Sequence, residues 1–105
     1  MSVLKFPIIV LCGSTKYYEL FDKTSLEYTL NGWIVLSIGS HRVSDKNLEI
    51  TKEQFEMLEG LHRRKIDMAD LVYIINKDGY MGKGTRDEIE YAKSQNKKIE
   101  YLESI

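Results

Sequence analysis

A glycine-rich loop between an apolar run and a helical segment carries the residues best suited to chemistry. Residues 71–75 have the pattern of a buried strand, and residues 89–95 have the pattern of a helix. Between them, Gly82 and Gly84 lack a Cβ atom, so backbone N–H groups at a helix start are open to an anion. Glu88 follows about one turn into that helix. A phosphate or sugar site beside a carboxylate is typical of a nucleotide site with a catalytic acid, base or nucleophile.

The same loop has a purely structural interpretation. Gly79, Tyr80 and Gly82 could simply form a turn, and acidic residues in a first helical turn often only offset the helix dipole. Taken alone, the loop leaves both interpretations open. The candidate binding residues that it supplies are Asn76, Gly79, Tyr80, Gly82, Gly84 and Thr85.

The first apolar run covers residues 7–12, and a second glycine loop follows it. It consists of Gly13, Ser14, Thr15 and Lys16. Its hydroxyl groups and N–H groups suit a phosphate at a helix start, although a hydroxyl there more often only caps the helix. The spacing matches neither GxxxxGK[ST] nor GxGxxG. These four residues are therefore candidate ligand contacts with an equally plain structural alternative.

Strands and helices alternate along the chain. Apolar runs predict strands at residues 7–12, 33–38, 71–75 and 99–102, and helical spacing predicts helices at residues 16–30, within 48–69, and at 85–95. The alternation predicts an α/β, doubly wound, Rossmann-like or flavodoxin-like domain of three layers. We expect a four-stranded, mainly parallel sheet in the order 2-1-3-4, with the last strand at an edge. Ligands bind such sheets where the strand order reverses, so both glycine loops should meet between the first and third strands.

Composition narrows the class of protein. The chain has 105 residues and a net charge of −1, with 43% hydrophobic and 30% charged residues. We expect a single domain over residues 1–105, and the charge gives no reason to expect a nucleic-acid polymer or a membrane as partner. No targeting or membrane-spanning segment is visible. The single cysteine, Cys12, cannot form an internal disulfide, which fits a cytoplasmic location.

The histidines and the cysteine do not form a metal motif in sequence. His41 follows the second strand and could contact a base, sugar or phosphate, although a solvated loop histidine is the commoner case. His62 falls on one helical face together with Phe55, Leu58, Ile66 and Ala69, and is expected to be a buried core histidine. No His, Cys or Asp cluster has metal-ligand spacing. The sequence therefore predicts neither a metal nor another cofactor, and it predicts that Cys12 is a small core residue.

Four segments resemble the nucleoside 2-deoxyribosyltransferase superfamily, in particular its small, largely uncharacterised bacterial and phage members. They lie at residues 12–15, 32–36, 61–70 and 79–92. Two motifs carry the resemblance: His-x-x-Lys-Ile-x-x-Ala-Asp and Gly-Tyr-x-Gly-x-x-Thr-x-x-Glu-Ile. Together the segments extend over nearly the whole chain.

The resemblance implies a chemistry and roles for individual residues. In characterised relatives, a glutamate in the helix after the glycine loop attacks the anomeric carbon of a deoxyribosyl group. The resulting glycosyl-enzyme passes to another base or to water. Glu88 matches that glutamate, and Asp70 matches an aspartate with a supporting role. The resemblance also assigns phosphate or sugar contacts to Gly13, Ser14 and residues 82–85.

Three classes of function remain open, and each takes a nucleoside or nucleotide as its partner. The first is a 2-deoxyribosyltransferase or nucleotide N-hydrolase. The second is a non-catalytic module that binds or sequesters a nucleotide. The third is a phosphoribohydrolase-like enzyme, since Gly-x-Gly-Thr-x-x-Glu also resembles the cytokinin-activating enzymes. Exposed aromatic residues (Tyr17, Tyr18 and Tyr28 cannot all be buried) and the assembly of relatives indicate a homodimer.

Overall fold

A parallel sheet of four strands lies at the centre of the fold. The computed structural model describes residues 5–39 and 47–104. The strands are β1 (Ile8–Gly13), β2 (Ile34–Leu36), β3 (Leu71–Ile75) and β4 (Lys98–Tyr101). They lie in the order β2-β1-β3-β4, and every neighbouring pair is parallel. The predicted α/β class, the strand order and the edge position of the last strand are confirmed.

Three α-helices connect the strands. They are α1 (Tyr18–Leu30), α2 (Lys52–Met68) and α3 (Lys83–Ser94), and a one-turn 3₁₀ helix at Thr15–Tyr17 precedes α1. The loop between β2 and α2 includes the predicted site residue His41, which lies outside the described residues. Over residues 5–39 and 47–104, no helix is both long and apolar enough to cross a membrane.

The sheet separates two apolar clusters, and this produces the three layers. Side chains alternate across a strand, so Ile9 and Leu11 of β1 face one side of the sheet and Cys12 faces the other. Ile9 and Leu11 pack in a cluster with Phe21 of α1. Cys12 packs in the second cluster, which includes Ile66 of α2 and residues of α3. The helices α2 and α3 therefore cover the face of the sheet on which Cys12 lies.

Helix α2 is capped at its start, where it extends past the sheet. Thr51 caps it through a reciprocal pair of 3.0 Å hydrogen bonds with Gln54. Phe55, predicted to face the core, is 59% exposed, whereas Ile66 is fully buried. The cause is length: 17 helical residues span about 25 Å, whereas the five residues of β3 span about 16 Å. Only the second half of α2 can lie on the sheet.

Gly13 allows the backbones of β1 and β3 to approach closely at their carboxyl ends. Its φ is +151°, and a Cβ atom there would lie 2.7 Å from the carbonyl oxygen of Ile75. Gly13 and Ile75 are partners in the parallel register. The glycine is thus explained by sheet packing, because a side chain would push the two strands apart.

This packing predicts different effects of alanine at two glycines. Gly13→Ala should destabilise the fold by about 1–3 kcal/mol, because it adds both a clash and an unfavourable φ. Gly84→Ala should be neutral or stabilising, by up to about 1 kcal/mol, because no described atom outside its own helical turn lies within 4 Å of its Cβ position. Urea denaturation of both variants measures the difference, and equal stabilities would contradict the packing role of Gly13.

Candidate functional site

Helix α3 begins at the glycine loop with its backbone N–H groups free of a side-chain cap. Gly82 is the N-cap residue, and no side-chain cap hydrogen bond is present among the described residues. Gly84 has open space at its Cβ position, whereas a Cβ on Gly82 would lie 3.2 Å from the Tyr80 hydroxyl oxygen. The first N–H groups of a helix have no partner within the helix. The start of α3 can therefore receive an anion or a polar sugar group.

The two glycine loops contact each other through aromatic and cationic side chains. The Lys16 Nζ atom lies 3.8 Å from the centroid of the Tyr80 ring. The rings of Tyr17 and Tyr80 meet edge to face with centroids 6.3 Å apart. A cation and an aromatic ring beside the start of α3 suit a phosphate and a base, respectively. Lys16 and Tyr80, both predicted from sequence, thus lie together.

Ser14 and Thr15 of the first loop have structural roles. The Ser14 hydroxyl oxygen accepts a hydrogen bond from the Lys16 backbone N–H at 3.4 Å and so caps the 3₁₀ helix. Helix α1 starts at Tyr18, two residues later than predicted. Thr15 lies within the 3₁₀ helix and is half-buried. The first loop therefore supplies less of an anion site than its sequence indicated.

Beneath the start of α3, three side chains from three elements converge. The Cys12 Sγ atom of β1 lies 3.1 Å from Nε2 of His62 on α2. The same Nε2 atom lies 3.6 Å from Oε2 of Glu88 on α3. Cys12 is 1% exposed, whereas the side chains of His62 and Glu88 are 12% and 29% exposed. Glu88 is therefore the member of the cluster that reaches solvent, at the carboxyl ends of β1 and β3.

Burial dominates the protonation of this cluster. It raises the pKa of Glu88 from 4.5 to about 7, and the hydrogen bond from Cys12 opposes that rise. It lowers the pKa of His62 from 6.5 to about 4, aided by Lys65. The pKa of Cys12 is raised by burial and by Glu88. The 3.6 Å separation of His62 and Glu88 would suit an ion pair, but desolvation outweighs it, and the imidazole is neutral at neutral pH.

Several predicted binding residues instead hold the loop in place. Both ends of the fully buried Asn76 amide are hydrogen-bonded to the Glu103 backbone, at 2.9 and 3.0 Å. Gly79 has φ +77° and follows Asp78 in a left-handed conformation, so it shapes the turn. Thr85 is 6% exposed, in the first turn of α3. These three residues fix the position of the glycine loop rather than line its open side.

Asp70, predicted as a supporting catalytic residue, lies at the opposite end of the sheet. Its Oδ2 atom accepts a hydrogen bond from the Ile8 backbone N–H at 2.8 Å, at the amino end of β1. The five residues of β3 separate it from the carboxyl ends by about 16 Å. The observed role of Asp70 is to join β1 to the start of β3, and its supporting role in catalysis stays a prediction that this position does not favour.

Two concavities lie on the α1 side of the sheet, away from Glu88. One, of about 140 Å³, is lined by Tyr18, Phe21, Asp22, Ser25, Ser37, Ile38 and Gly39. The other, of about 540 Å³, is an open hollow lined by Glu27, Tyr28, Asn31 and Trp33. The first is smaller than the ~300–1,000 Å³ usual for small-molecule sites, and neither includes a glycine loop. Among the described residues, the converging cluster below the start of α3 is the better candidate site.

Sequence reasoning assigned Cys12 and His62 to the core and did not connect either to Glu88. The burial of Cys12 and His62 agrees with that assignment, but their contact could not be seen in sequence. Cys12 is 50 residues from His62, so no local motif links them. One sequence signal could have indicated their contact. His62 shares an inward helix face with apolar residues, and Cys12 ends the first predicted strand, beside the expected ligand site between the first and third strands.

Comparison with known proteins does not assign the chain to a family. No protein-family model matches the chain, and no curated protein matches it in sequence.

The buried carboxyl group predicts a measurable pH dependence of stability. From about pH 4.5 to about pH 7, Glu88 is ionised in the unfolded chain but protonated in the folded one. The Glu88 contribution to stability is fully present below about pH 4.5, the unfolded pKa, and it is lost as the pH rises through about 7, the folded pKa. The free energy of unfolding of the wild type, relative to Glu88→Gln, should therefore fall over this range. The fall should stay below about 3 kcal/mol, because the side chain is partly exposed.

The free energy of unfolding of the wild type relative to His62→Gln should change with pH in the opposite direction. The pKa of His62 is depressed from 6.5 to about 4, so its contribution is lost as pH falls through that range. Urea denaturation between pH 4 and 8 measures both differences. A flat difference between wild type and Glu88→Gln would contradict the burial of the Glu88 carboxyl group.

Proposed function

We propose that this protein binds a nucleoside or nucleotide and cleaves or transfers at its N-glycosidic bond, with Glu88 as the nucleophile. The observation that carries the proposal is the position of Glu88. Its carboxylate lies beside Cys12 at the carboxyl end of β1, where the strand order reverses between β1 and β3. Ligands of open parallel sheets bind at this point. The proposal agrees with the nucleoside 2-deoxyribosyltransferase chemistry that the sequence motifs imply.

The reaction divides one difficult displacement into two steps. The ionised Glu88 carboxylate attacks the anomeric carbon, the N-glycosidic bond breaks, and its electron pair leaves with the base, which is protonated. The glycosyl ester on Glu88 is then attacked by water or by a second base, which restores the carboxylate. Each step passes through an oxocarbenium-like centre that a nearby carboxylate stabilises.

The surroundings of Glu88 support both binding and attack. The uncapped start of α3 and the open face of Gly84 offer N–H groups to a phosphate or sugar oxygen. Lys16 and Tyr80 stand where the two loops meet. Neutral His62 contacts the Glu88 carboxyl group from the protein side. We assign His62 to positioning that carboxyl group, which leaves its exposed side toward substrate.

Replacing Glu88 with glutamine separates binding from chemistry. Glu88→Gln keeps shape and hydrogen-bonding capacity but removes the nucleophilic charge. Binding of nucleosides and 5′-nucleotides, measured by calorimetry, should stay within a few-fold. Base release, measured by chromatography, should fall by roughly 10³-fold or more. Glu90→Gln is the matched control, because Glu90 is two residues away on α3 and 76% exposed, beside Lys93.

One observation favours the non-catalytic alternative, a module that sequesters a nucleotide. With a pKa of about 7, a large fraction of Glu88 is protonated at neutral pH, and a protonated carboxyl group is a poor nucleophile. Tight nucleotide binding with no base release, in both wild type and Glu88→Gln, is the outcome of that alternative. Wild-type base release in Glu88→Gln would instead exclude Glu88 as the nucleophile.

We also propose that two copies of the chain pair through the outward face of α2. Met57, Leu61 and Met68 recur at helical spacing on that face and are 56%, 49% and 57% exposed. Gly60 lies among them, and no described atom is within 4 Å of its Cβ position. A mid-helix glycine costs about 1 kcal/mol relative to alanine, and no contact among the described residues requires it. A closely crossing second helix supplies a reason for it.

The charge pattern of α2 suits an antiparallel pairing about a two-fold axis. Glu53, Glu56 and Glu59 precede Gly60, whereas Arg63 and Arg64 follow it. An antiparallel crossing at Gly60 sets the acidic half of one helix against the basic half of the other. The same apolar stripe then meets itself, as an isologous interface demands.

Gly60→Ala tests this interface, because it should stabilise a monomer but weaken the proposed dimer. In a monomer, Gly60→Ala should raise stability by up to about 1 kcal/mol. In the proposed dimer, the added methyl group separates the helices and should weaken dimerisation by about tenfold or more. Sedimentation equilibrium of wild type and Gly60→Ala measures it, with Gly84→Ala as the control outside the interface. A wild-type monomer mass at micromolar concentrations would refute the pairing.

A further inference from the structure

The side-chain ends of Cys12, His62 and Glu88 meet around one nitrogen of the His62 ring. This arrangement differs from that of a catalytic relay. In a nucleophile–histidine–carboxylate relay, the two partners contact different nitrogens of the ring. Here Sγ of Cys12 and Oε2 of Glu88 both approach the same atom, Nε2 of His62, at 3.1 and 3.6 Å. All three ligand atoms lie within 4.8 Å of one another. A common point between three such atoms is the geometry of a coordination site.

We propose that Cys12, His62 and Glu88 bind a borderline-soft divalent cation, of which Zn²⁺ is the type, with a fourth coordination position open to solvent. Thiolate, imidazole and carboxylate are the three donor classes that Zn²⁺ takes in proteins. Ligands at about 2.0 and 2.3 Å from a tetrahedral metal lie about 3.5 Å apart. The separations of 3.1 and 3.6 Å bracket that value, so the side chains need only small shifts.

The scaffold holds the three ligands from three separate elements. Cys12 is in β1, His62 is in the buried half of α2, and Glu88 is in the second turn of α3. Cys12 is 1% exposed, which fixes the thiol, while the partly exposed Glu88 leaves a path for a cation from solvent. Three protein ligands with one open position is the pattern of zinc sites that can accept water or another ligand.

A divalent cation would compensate the charges that the cluster acquires when its thiol and carboxyl groups ionise. Burial and the Glu88 charge both raise the pKa of the Cys12 thiol. Burial is the largest cause of the raised pKa of Glu88; the hydrogen bond from Cys12 and the charge of Arg63 oppose the rise, and the charges of Glu59 and Asp87 add to it. A dication between thiolate and carboxylate reverses these penalties, because it compensates both buried anions.

Occupation of this site has a consequence for catalysis, and that consequence alone rests on the proposed function. A cation on Oε2 withdraws electron density from the Glu88 carboxylate and so makes it a weaker nucleophile toward the anomeric carbon. Zn²⁺ should therefore inhibit base release, and a chelator should restore it. Cation binding itself needs no nucleotide, so it can be measured whether or not the protein acts on nucleosides.

Cobalt titration of the untagged, chelator-treated chain tests the site. Co²⁺ should bind one per chain and produce a thiolate-to-cobalt charge-transfer absorption with intense visible bands of tetrahedral Co²⁺, and Zn²⁺ should abolish both. Cys12→Ser should remove the charge-transfer band. His62→Gln and Glu88→Gln should each weaken Co²⁺ binding by about tenfold or more. Glu90→Gln, at a position two residues along α3 from Glu88 and 76% exposed, is the matched control and should bind as the wild type does.

X-ray absorption of the wild-type zinc complex makes the test independent of how the variants fold. One sulfur at about 2.3 Å and nitrogen or oxygen ligands at about 2.0 Å are the expected shell. A shell with no sulfur would overturn the proposal. So would a charge-transfer band that survives in folded Cys12→Ser, or Co²⁺ affinity unchanged in both folded His62→Gln and folded Glu88→Gln; the cluster would then be hydrogen-bonded only.

Discussion

The close approach of β1 and β3 at Gly13 and Ile75 is the constraint on which the site depends. Where a Cβ would lie 2.7 Å from the opposite carbonyl oxygen, only glycine lets the two strands stay paired to their carboxyl ends. The register then sets Cys12 opposite Ile74, with its thiol on the face covered by α2 and α3. Helix α3, which starts one loop after Ile75, places Glu88 above that thiol. The position of the carboxylate is thus a consequence of backbone packing in the sheet.

The site is built on a conflict between burial and charge. A nucleophilic carboxylate has to be ionised, yet burial raises the pKa of Glu88 to about 7. His62 is held neutral by the same cause, with its pKa lowered to about 4. Partial desolvation makes a carboxylate more reactive once it is ionised, but it reduces the ionised fraction. A bound substrate with positive character at the anomeric centre, or a divalent cation, would each relieve the conflict in its own way.

The sequence predicted the elements well where hydrophobic runs are short and sharply bounded. The run at Leu71–Ile75 was predicted to the residue, because Asp70 and Asn76 flank five apolar residues. The order of the strands followed from the alternation of strands with helices. The predicted inner face of α2 was correct for Ile66 and wrong for Phe55, because periodicity gives the rotation of a helix but not how far the sheet beneath it extends.

The site was less predictable, because it depends on register and on side-chain partners across the fold. Glu88 and the glycine loop follow from local spacing, and so does their place at the carboxyl end of β3. Asp70 precedes the same strand and therefore had to lie at the other end, which the motif resemblance obscured. Asn76 binds Glu103, and the contact of Cys12 with His62 joins residues 50 positions apart. Neither contact has a local signature.

The covalent role proposed for Glu88 is tested most directly by an attempt to trap the glycosyl-enzyme that it would form. A 2-fluoro-2-deoxyribosyl nucleoside slows the second step, because the fluorine destabilises the oxocarbenium-like transition state. Intact-protein mass spectrometry should show one added fluorinated glycosyl group on the wild type and none on Glu88→Gln, and peptide mapping should place it on Glu88. Base release from nucleosides without any trapped adduct, or an adduct on another residue, would contradict the account.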